Sequence, residues 1–432
     1  MERRKFIKTG TLATTSLLAT PFYLRAKEEK IKLAILGTGW WGTELLLKYA
    51  LKSGEFEIAA LCDVNKEALG NAAAIVRSET AMSPKLFDDY REMFEMPGLD
   101  AVVISTPTHW HALQFIAACE KGLHVLLEKP ISYDIQESLA MKKAYEAASN
   151  VVIVDFPRMM APLIGEVKSF VQSGNAGEIL QVKATINNHE GKLVEMEVPA
   201  HLDYEKFCGP APKLKYLCSE SNSQFRWRGQ HGFNRGVMVD WGIHYIHNVR
   251  KVLDLGLPDT ISAVGGTLYN HSSDNPDHLE VFYTFGDLPV QWSHKSWGYV
   301  PTSYHHGIGV YYYGNEATIF QSDGGWEVYT KDGNKHTHGT IDRNPQPDLV
   351  DLVFNNLFAE FSKHVKTNRR EGVTNTFEDG FLTTATVNLG DISFRSEETL
   401  EIETSSLDLK NSSNARALLR REYREGYHHP YV

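Results

Sequence analysis

Two short clusters in this sequence hold residue types suited to moving protons and steadying charge. In Asp240-Trp241-Gly242-Ile243-His244-Tyr245-Ile246-His247 the residues Asp240, His244 and His247 fall at i, i+4 and i+7, one face of a helix. A carboxylate beside an imidazole can orient the ring and raise its pKa toward working pH, as a general acid/base requires. The same trio could hold a metal or form a buried structural network. The second cluster, Glu128-Lys129-Pro130, closes an apolar run. The proline fixes the turn there, so Lys129 can reach a ligand held at the end of a strand. Taken alone, Lys129 could be an ordinary surface lysine; its place beside a glycine loop favours the functional reading.

That loop is Gly37-Thr38-Gly39-Trp40-Trp41-Gly42, between the run KLAIL and a helix-like stretch from about Thr43 to Lys52. Strand, glycine turn and helix in that order form the fingerprint of a dinucleotide-binding unit. The glycines make the tight turn and let the backbone approach a pyrophosphate, and the helix N-terminus faces the phosphates. A second run, FEIAALC, ends in Asp63, about where a carboxylate would hold the adenosine ribose hydroxyls. Ser105-Thr106-Pro107-Thr108-His109-Trp110-His111 stands at the end of the run AVVIST and lies at the same carboxyl edge as Lys129. Its histidines have no local carboxylate or thiol partner, so they read as helix capping and loop packing, and no metal is expected.

The elements that must position these groups are legible as a change of pattern. From Ile31 to Asp155 the runs IKLAIL, FEIAALC, AVVIST, HVLLEK and VVIVDF alternate with helical stretches, which predicts a doubly wound parallel sheet over 31–155. After it, EILQVKATINN, TISAVGGTLY, LEVFYTF, LPVQWSHKSW and GIGVYYYG alternate in polarity. They predict an α+β domain over 156–400 with a mostly antiparallel, open-faced sheet. Helices are expected at Pro162–Ser173, Asp240–Leu255, Leu349–Val365 and Phe377–Phe394, and a tail at 401–432. The polar stretch Glu190–Arg228 reads as a long loop or insertion near the site.

The first 26 residues stand apart. Arg3-Arg4-Lys5-Phe6-Ile7-Lys8 and the Thr/Leu/Ala-rich stretch after it resemble a twin-arginine export signal, so the expected location is the periplasm or another exported compartment. The stretch falls short of the ~20 apolar residues of a membrane span. Losing it takes the formal charge from −10 to −14, which argues against nucleic acid or an anionic membrane as partner. Four cysteines are too few for a disulfide framework. Cys208 and Cys218 could pair, though free thiols are the simpler reading.

Taken together, GTGWWG, TPTHWHA, AACEKGLHVLLEKP and DWGIH resemble the glucose–fructose oxidoreductase/inositol dehydrogenase (Gfo/Idh/MocA) family, from Lys32 to about Phe394. GPAPKLKY at Gly209–Tyr216 and ALLRREYREGY near the end resemble an exported subgroup. The resemblance implies a Rossmann domain and a second domain whose open sheet packs on another subunit, in a homodimer or homotetramer. It assigns Lys129, Asp240 and His244 to catalysis. It assigns Gly37, Gly39, Gly42, Asp63, Thr106, Pro107, His111, Glu128 and Lys129 to the cofactor, with Trp40 and Trp41 inside the glycine loop. Arg158 is a substrate contact by the same resemblance. His247 stands where many members carry a second Asp, and Asn234-Arg235-Gly236 replaces a more glycine-rich approach, placing Arg235 at the site mouth. Asp63 favours NAD over NADP, because a carboxylate there repels the extra phosphate. The expected function is an NAD(P)-dependent oxidoreductase acting on a small-molecule carbohydrate, with cofactor bound tightly because an exported enzyme meets no pool of free nucleotide. Two alternatives stand beside it: a redox-neutral NAD-dependent glycoside hydrolase, and a nucleotide-binding sensor without turnover.

Overall fold

Short runs buried on both faces build the first sheet, as the unbroken apolar character of AVVI and VIVD requires. The computed structural model describes residues 29–187, 191–298, 306–339 and 347–431; the export signal expected over residues 1–26 lies outside them. Six parallel strands run β3-β2-β1-β4-β5-β6. They are β1 (Ile31–Leu36), β2 (Phe56–Cys62), β3 (Lys85–Phe87), β4 (Ala101–Ile104), β5 (His124–Glu128) and β6 (Val152–Asp155). Around them lie α1 (Lys48–Ser53), α2 (Lys66–Thr80), α3 (Tyr90–Phe94), α4 (Thr108–Glu120) and α5 (Ile135–Ala147). Strand order reverses between β1 and β4, which opens a crevice at their carboxyl ends. The edge strand β3 has no apolar run to announce it: Lys85 and Leu86 are exposed.

A six-residue π-helical turn, Gly42–Leu47, precedes α1. Behind it packs a helix from far along the chain. α6 (Leu163–Gln172), α7 (Tyr204–Cys208), α8 (Ile243–Leu253) and α9 (Pro347–Thr367) follow in order, and α9 folds back onto the first domain. Its Phe354 meets Trp41 at 5.7 Å between ring centroids, and Phe361 stacks on Phe56 at 5.9 Å. The core of the first domain therefore includes residues whose place in the sequence assigned them to the second.

The second sheet has ten strands. In chain order the strands that follow β6 are β7 (Ile179–Asn187), β8 (Leu193–Glu195), β9 (Leu217–Ser219), β10 (Thr260–Gly266), β11 (His278–Phe285), β12 (Leu288–Lys295), β13 (Ile308–Gly314), β14 (Ala317–Gln321), β15 (Gly325–Thr330), β16 (Lys335–Gly339), β17 (Leu400–Glu403) and β18 (Asp408–Leu409). The sheet runs β16-β15-β14-β13-β7-β12-β11-β10-β17-β18, while β8 and β9 form a separate hairpin in the insertion. Every pairing in the large sheet is antiparallel except β7 with β12. Val290, Trp292 and His294 of β12 turn inward, toward the side carrying α8 and α10 (Phe377–Ser396); the opposite face leaves Phe282 and Val264 exposed. The segment expected as a tail is docked: β17 pairs with β10, and α11 (Ser413–Ala417) and residues beyond it return to the first domain. Cys208 and Cys218 are both buried and free.

Trp292 is fully buried against Gly242, where an added Cβ would lie 2.9 Å from the indole. Trp292→Ala should cost about 3–5 kcal/mol, read as a lowered midpoint in urea unfolding followed by far-ultraviolet circular dichroism.

Candidate active site

The glycine loop is shaped by two different needs. Gly37 has φ +94°, and a Cβ there would sit 2.7 Å from the Ser105 carbonyl carbon; one on Gly42 would sit 2.0 Å from the Gly37 carbonyl oxygen. Those two glycines are dictated by the protein's own packing. A Cβ on Gly39 would meet no atom within 4 Å, so its bareness serves the open side, where a pyrophosphate can approach. Ser105 Oγ donates to the Gly37 carbonyl at 2.7 Å, tying β4's end to the loop. Asp63 Oδ2 accepts from the Thr38 amide at 2.6 Å and the Thr38 hydroxyl at 3.1 Å, which places its carboxylate beside the loop at the end of β2. Open backbone at Gly39, a helix start and an acid at β2 fit a dinucleotide. Trp40 is exposed at the loop tip, and the Trp41 indole N–H donates to Glu128.

Glu128 and Asp155 are register partners at the ends of β5 and β6. Burial, then the neighbouring Asp155, push the Glu128 carboxyl well above the usual carboxylate range, and burial raises Asp155 too. The two carboxyls therefore cannot both carry charge cheaply. Next to them Lys129 turns toward the second domain. Its Nζ donates to the Asp240 carbonyl at 2.6 Å and to Asp240 Oδ1 at 3.2 Å. Arg228 Nε reaches Oδ2 of the same carboxylate at 3.1 Å while its guanidinium lies 4.1 Å from the Trp227 ring. Burial opposes the Asp240 charge, but the two cations outweigh it and hold the carboxyl below its ordinary value.

The expected Asp240–His244 pair does not form. Asp240 lies in a π-helical turn, Met238–Gly242, ahead of α8. The wider turn takes i and i+4 out of superposition and leaves the Asp240 carbonyl to Lys129. His244 is buried, with Nδ1 unpartnered among the described residues. Burial, then the charges of Arg158 and Lys129, hold it well below the usual imidazole range, opposite to the rise expected beside a carboxylate, so the ring is neutral and a weaker base than a free imidazole.

The loops beside the site are cross-braced. His111 Nε2 lies 2.7 Å from the Thr106 carbonyl and Nδ1 2.8 Å from the Pro130 carbonyl. Burial pushes it down to about 4, so the neutral ring donates to one carbonyl at a time and braces the Thr106-Pro107 turn against the Lys129-Pro130 turn. Arg158 makes a two-pronged bond to Asp323 at 2.6 and 2.7 Å, near enough to bias His244. Two residues expected at the substrate lie elsewhere. Arg235 is buried on Asp391 at 2.7 Å, not at the mouth. His247 has no exposed surface; it stacks on Phe156 at 3.7 Å and faces Thr383 Oγ1 at 3.0 Å, because the face it occupies is turned into the core. Arg228 and Asp155 carry no motif in the sequence and join the site only through the fold. The only pointer to Arg228 was its place at the end of the polar insertion.

Two family models match the chain: the NAD-binding Rossmann fold of an oxidoreductase family over residues 31–156, and the C-terminal alpha/beta domain of that oxidoreductase family over 165–267. Together they cover just over half of it. A glycosyl hydrolase family 109 protein of Stenotrophomonas maltophilia is 27% identical over 54% of this chain and 51% of its own length. Levoglucosan dehydrogenase of Pseudarthrobacter phenanthrenivorans is 29% identical over 36% and 41%, and scyllo-inositol 2-dehydrogenase (NAD(+)) of Bacillus subtilis 30% identical over 36% and 44%. The chain thus spans about half or less of the length of these curated relatives. A solved levoglucosan dehydrogenase, in complex with NADH and levoglucosan, superposes over 87% of this chain and all of that one with TM-score 0.66 at 20% identity, a likeness of fold.

A histidine depressed by burial stays neutral as pH falls, until its own lowered pKa is reached. With His244 as base, the acid limb of kcat/KM should lie well below pH 6.5, and His244→Asn should abolish turnover. The unfolded ring protonates near 6.5, so the same burial subtracts stability as pH drops below that value, and His244→Asn should flatten the acid side of a stability profile.

Proposed function

The chain belongs to the Gfo/Idh/MocA oxidoreductase family, and on that premise we propose an NAD-dependent oxidoreductase acting on a CH–OH group of a sugar, polyol or sugar derivative, its nucleotide held through successive turnovers. The observation that carries this reading is the grouping at one domain junction of Lys129, bonded to Asp240, and His244, a buried neutral imidazole in the field of Lys129 and Arg158. Bound NAD would supply the hydride acceptor at the carboxyl edge. The His244 imidazole takes the proton of the substrate hydroxyl as its C–H bond breaks. Lys129 Nζ steadies the negative charge growing on that oxygen, while Asp240 keeps the ammonium in place. Asp63, beside the glycine loop, disfavours a 2′-phosphate and so selects NAD.

Sugar and inositol dehydrogenases among the relatives support the substrate class. The arginine pair in residues 1–26 supports export by the twin-arginine route, which carries folded protein with its cofactor inside. The open face of the second sheet, with Phe282 and Val264 exposed, supports a homodimer or homotetramer. One observation favours a second reading: the relative matching over 54% of this chain is a glycosyl hydrolase family 109 protein. Redox-neutral cleavage, in which transient oxidation acidifies a neighbouring C–H, would use the same residues.

The near-ultraviolet spectrum of the purified protein, followed while sugars and glycosides are added, separates the two. Lasting reduced nicotinamide with a free sugar supports the dehydrogenase; release of an aglycone without lasting reduction supports the hydrolase. Lys129→Ala should lower turnover about 100- to 10,000-fold while nucleotide stays bound. A sensor's ligand response would be unchanged by it.

A further inference from the structure

Residues 199–210 leave the insertion of the second domain and lie across the carboxyl edge of the first sheet. Leu202 bridges antiparallel to Asn65; the Lys66 amide donates to the His201 carbonyl at 2.9 Å, and the Asp203 amide to the Val64 carbonyl at 3.0 Å. The three residues after Asp63 are thus all engaged by this one segment. Farther along, Lys206 pairs with Asp88, just past β3, at 3.0 Å. α7 then delivers the Phe207 carbonyl to two donors at the start of α4, Trp110 Nε1 at 3.0 Å and His109 Nε2 at 2.8 Å. One strap therefore touches the loops after β2, β3 and β4. It sits close: Gly209 has φ +51°, and a Cβ there would lie 2.1 Å from the Trp110 ring.

A second segment latches the strap from outside. The Arg424 amide donates to the Pro210 carbonyl at 3.0 Å, and its guanidinium donates at 3.0 Å to the carbonyls of both Gly209 and Glu205. Tyr427 packs edge-on against Trp110. The latch is itself anchored where charge is buried. Arg421 binds Glu137 at 2.7 Å, takes Asp134 with its amide at 3.0 Å, and donates to the His109 carbonyl at 2.7 Å.

On a sheet of this topology the adenosine half of a dinucleotide lies beside the acid at the end of β2, here Asp63. We propose that residues 199–210, latched by Arg424, retain the nucleotide, which leaves only when the strap lifts. The proposal rests on the dinucleotide reading above and deepens it: NAD is a resident group here, and not a co-substrate that exchanges every turnover. Release becomes a local opening, whose rate is set by the backbone bonds to 64–66 and by the latch.

The test is the dissociation rate of NADH from the whole protein, read by loss of its fluorescence on adding excess NAD. Wild type should keep nucleotide through gel filtration and release it over minutes or longer. Arg424→Ala should speed release at least tenfold with the far-ultraviolet spectrum unchanged, and Gly209→Ala, by displacing the strap from Trp110, should do the same. Should either variant fail to fold, hydrogen exchange on wild type decides: amides of 201–207 should open at the rate at which nucleotide leaves. Binding of NADH with release in milliseconds, or release unaffected by Arg424→Ala, overturns the strap and leaves the cofactor assignment standing. Failure to bind NADH or NAD at all overturns the dinucleotide reading itself, and the strap with it.

Discussion

A carboxylate taken out of water must be compensated, and Asp240 is compensated by groups from two other parts of the chain. Lys129 comes from the end of β5 and Arg228 from the insertion, while Asp240 belongs to the helix under the second sheet. Removing Lys129, the buried partner, is costly, commonly about 3–5 kcal/mol, while the Arg228 contact, its side chain half exposed, is worth less. The relation between the two domains is therefore fixed at the point where the chemistry would occur. With Asp240 occupied in this way, His244 is left without a carboxylate. Its basicity is set by burial and by nearby cations, and these keep it unprotonated.

The parts of the molecule that could be read from the sequence are those with a strong local signature. Runs such as AVVI and VIVD are apolar at every position because both faces of their strands are covered, and the glycine loop announces its turn by composition. The site residues that escaped notice depend on long-range placement. Arg228 is one polar residue among many in the insertion, and only the fold brings it to Asp240. The i, i+4, i+7 rule grouped Asp240, His244 and His247, but it assumes 3.6 residues per turn throughout. The π-helical turn at Met238–Gly242 separates the first from the second, and packing on Phe156 withdraws the third. Arg235 offered a charge in a glycine-poor approach; its partner, Asp391, lies far along the chain in α10.

Domain membership was the least legible property. Sequence order places α9 in the second domain, yet its phenylalanines complete the core behind the glycine loop. Residues after 400 look like a polar tail, yet they add a strand to the large sheet and carry the arginines that reach the first domain. Periodicity gives these elements but not the surface each packs on, because that is decided by what remains uncovered once the local elements have formed.

The parallel pair in the large sheet has a consequence for how the chain becomes a protein. β7 is near the middle of the ten strands, but its two neighbours, β12 and β13, are encoded long after it. While the chain is being made, Val182, Ala184 and Ile186 have no sheet to join, and both hydrogen-bonding edges of their strand stay open. Such an edge is a template for pairing with another chain, and contacts over so long a separation form slowly. The centre of the sheet is the first part to be synthesised and among the last to be satisfied, so nascent chains need shelter from one another until Ile308–Gly314 has emerged.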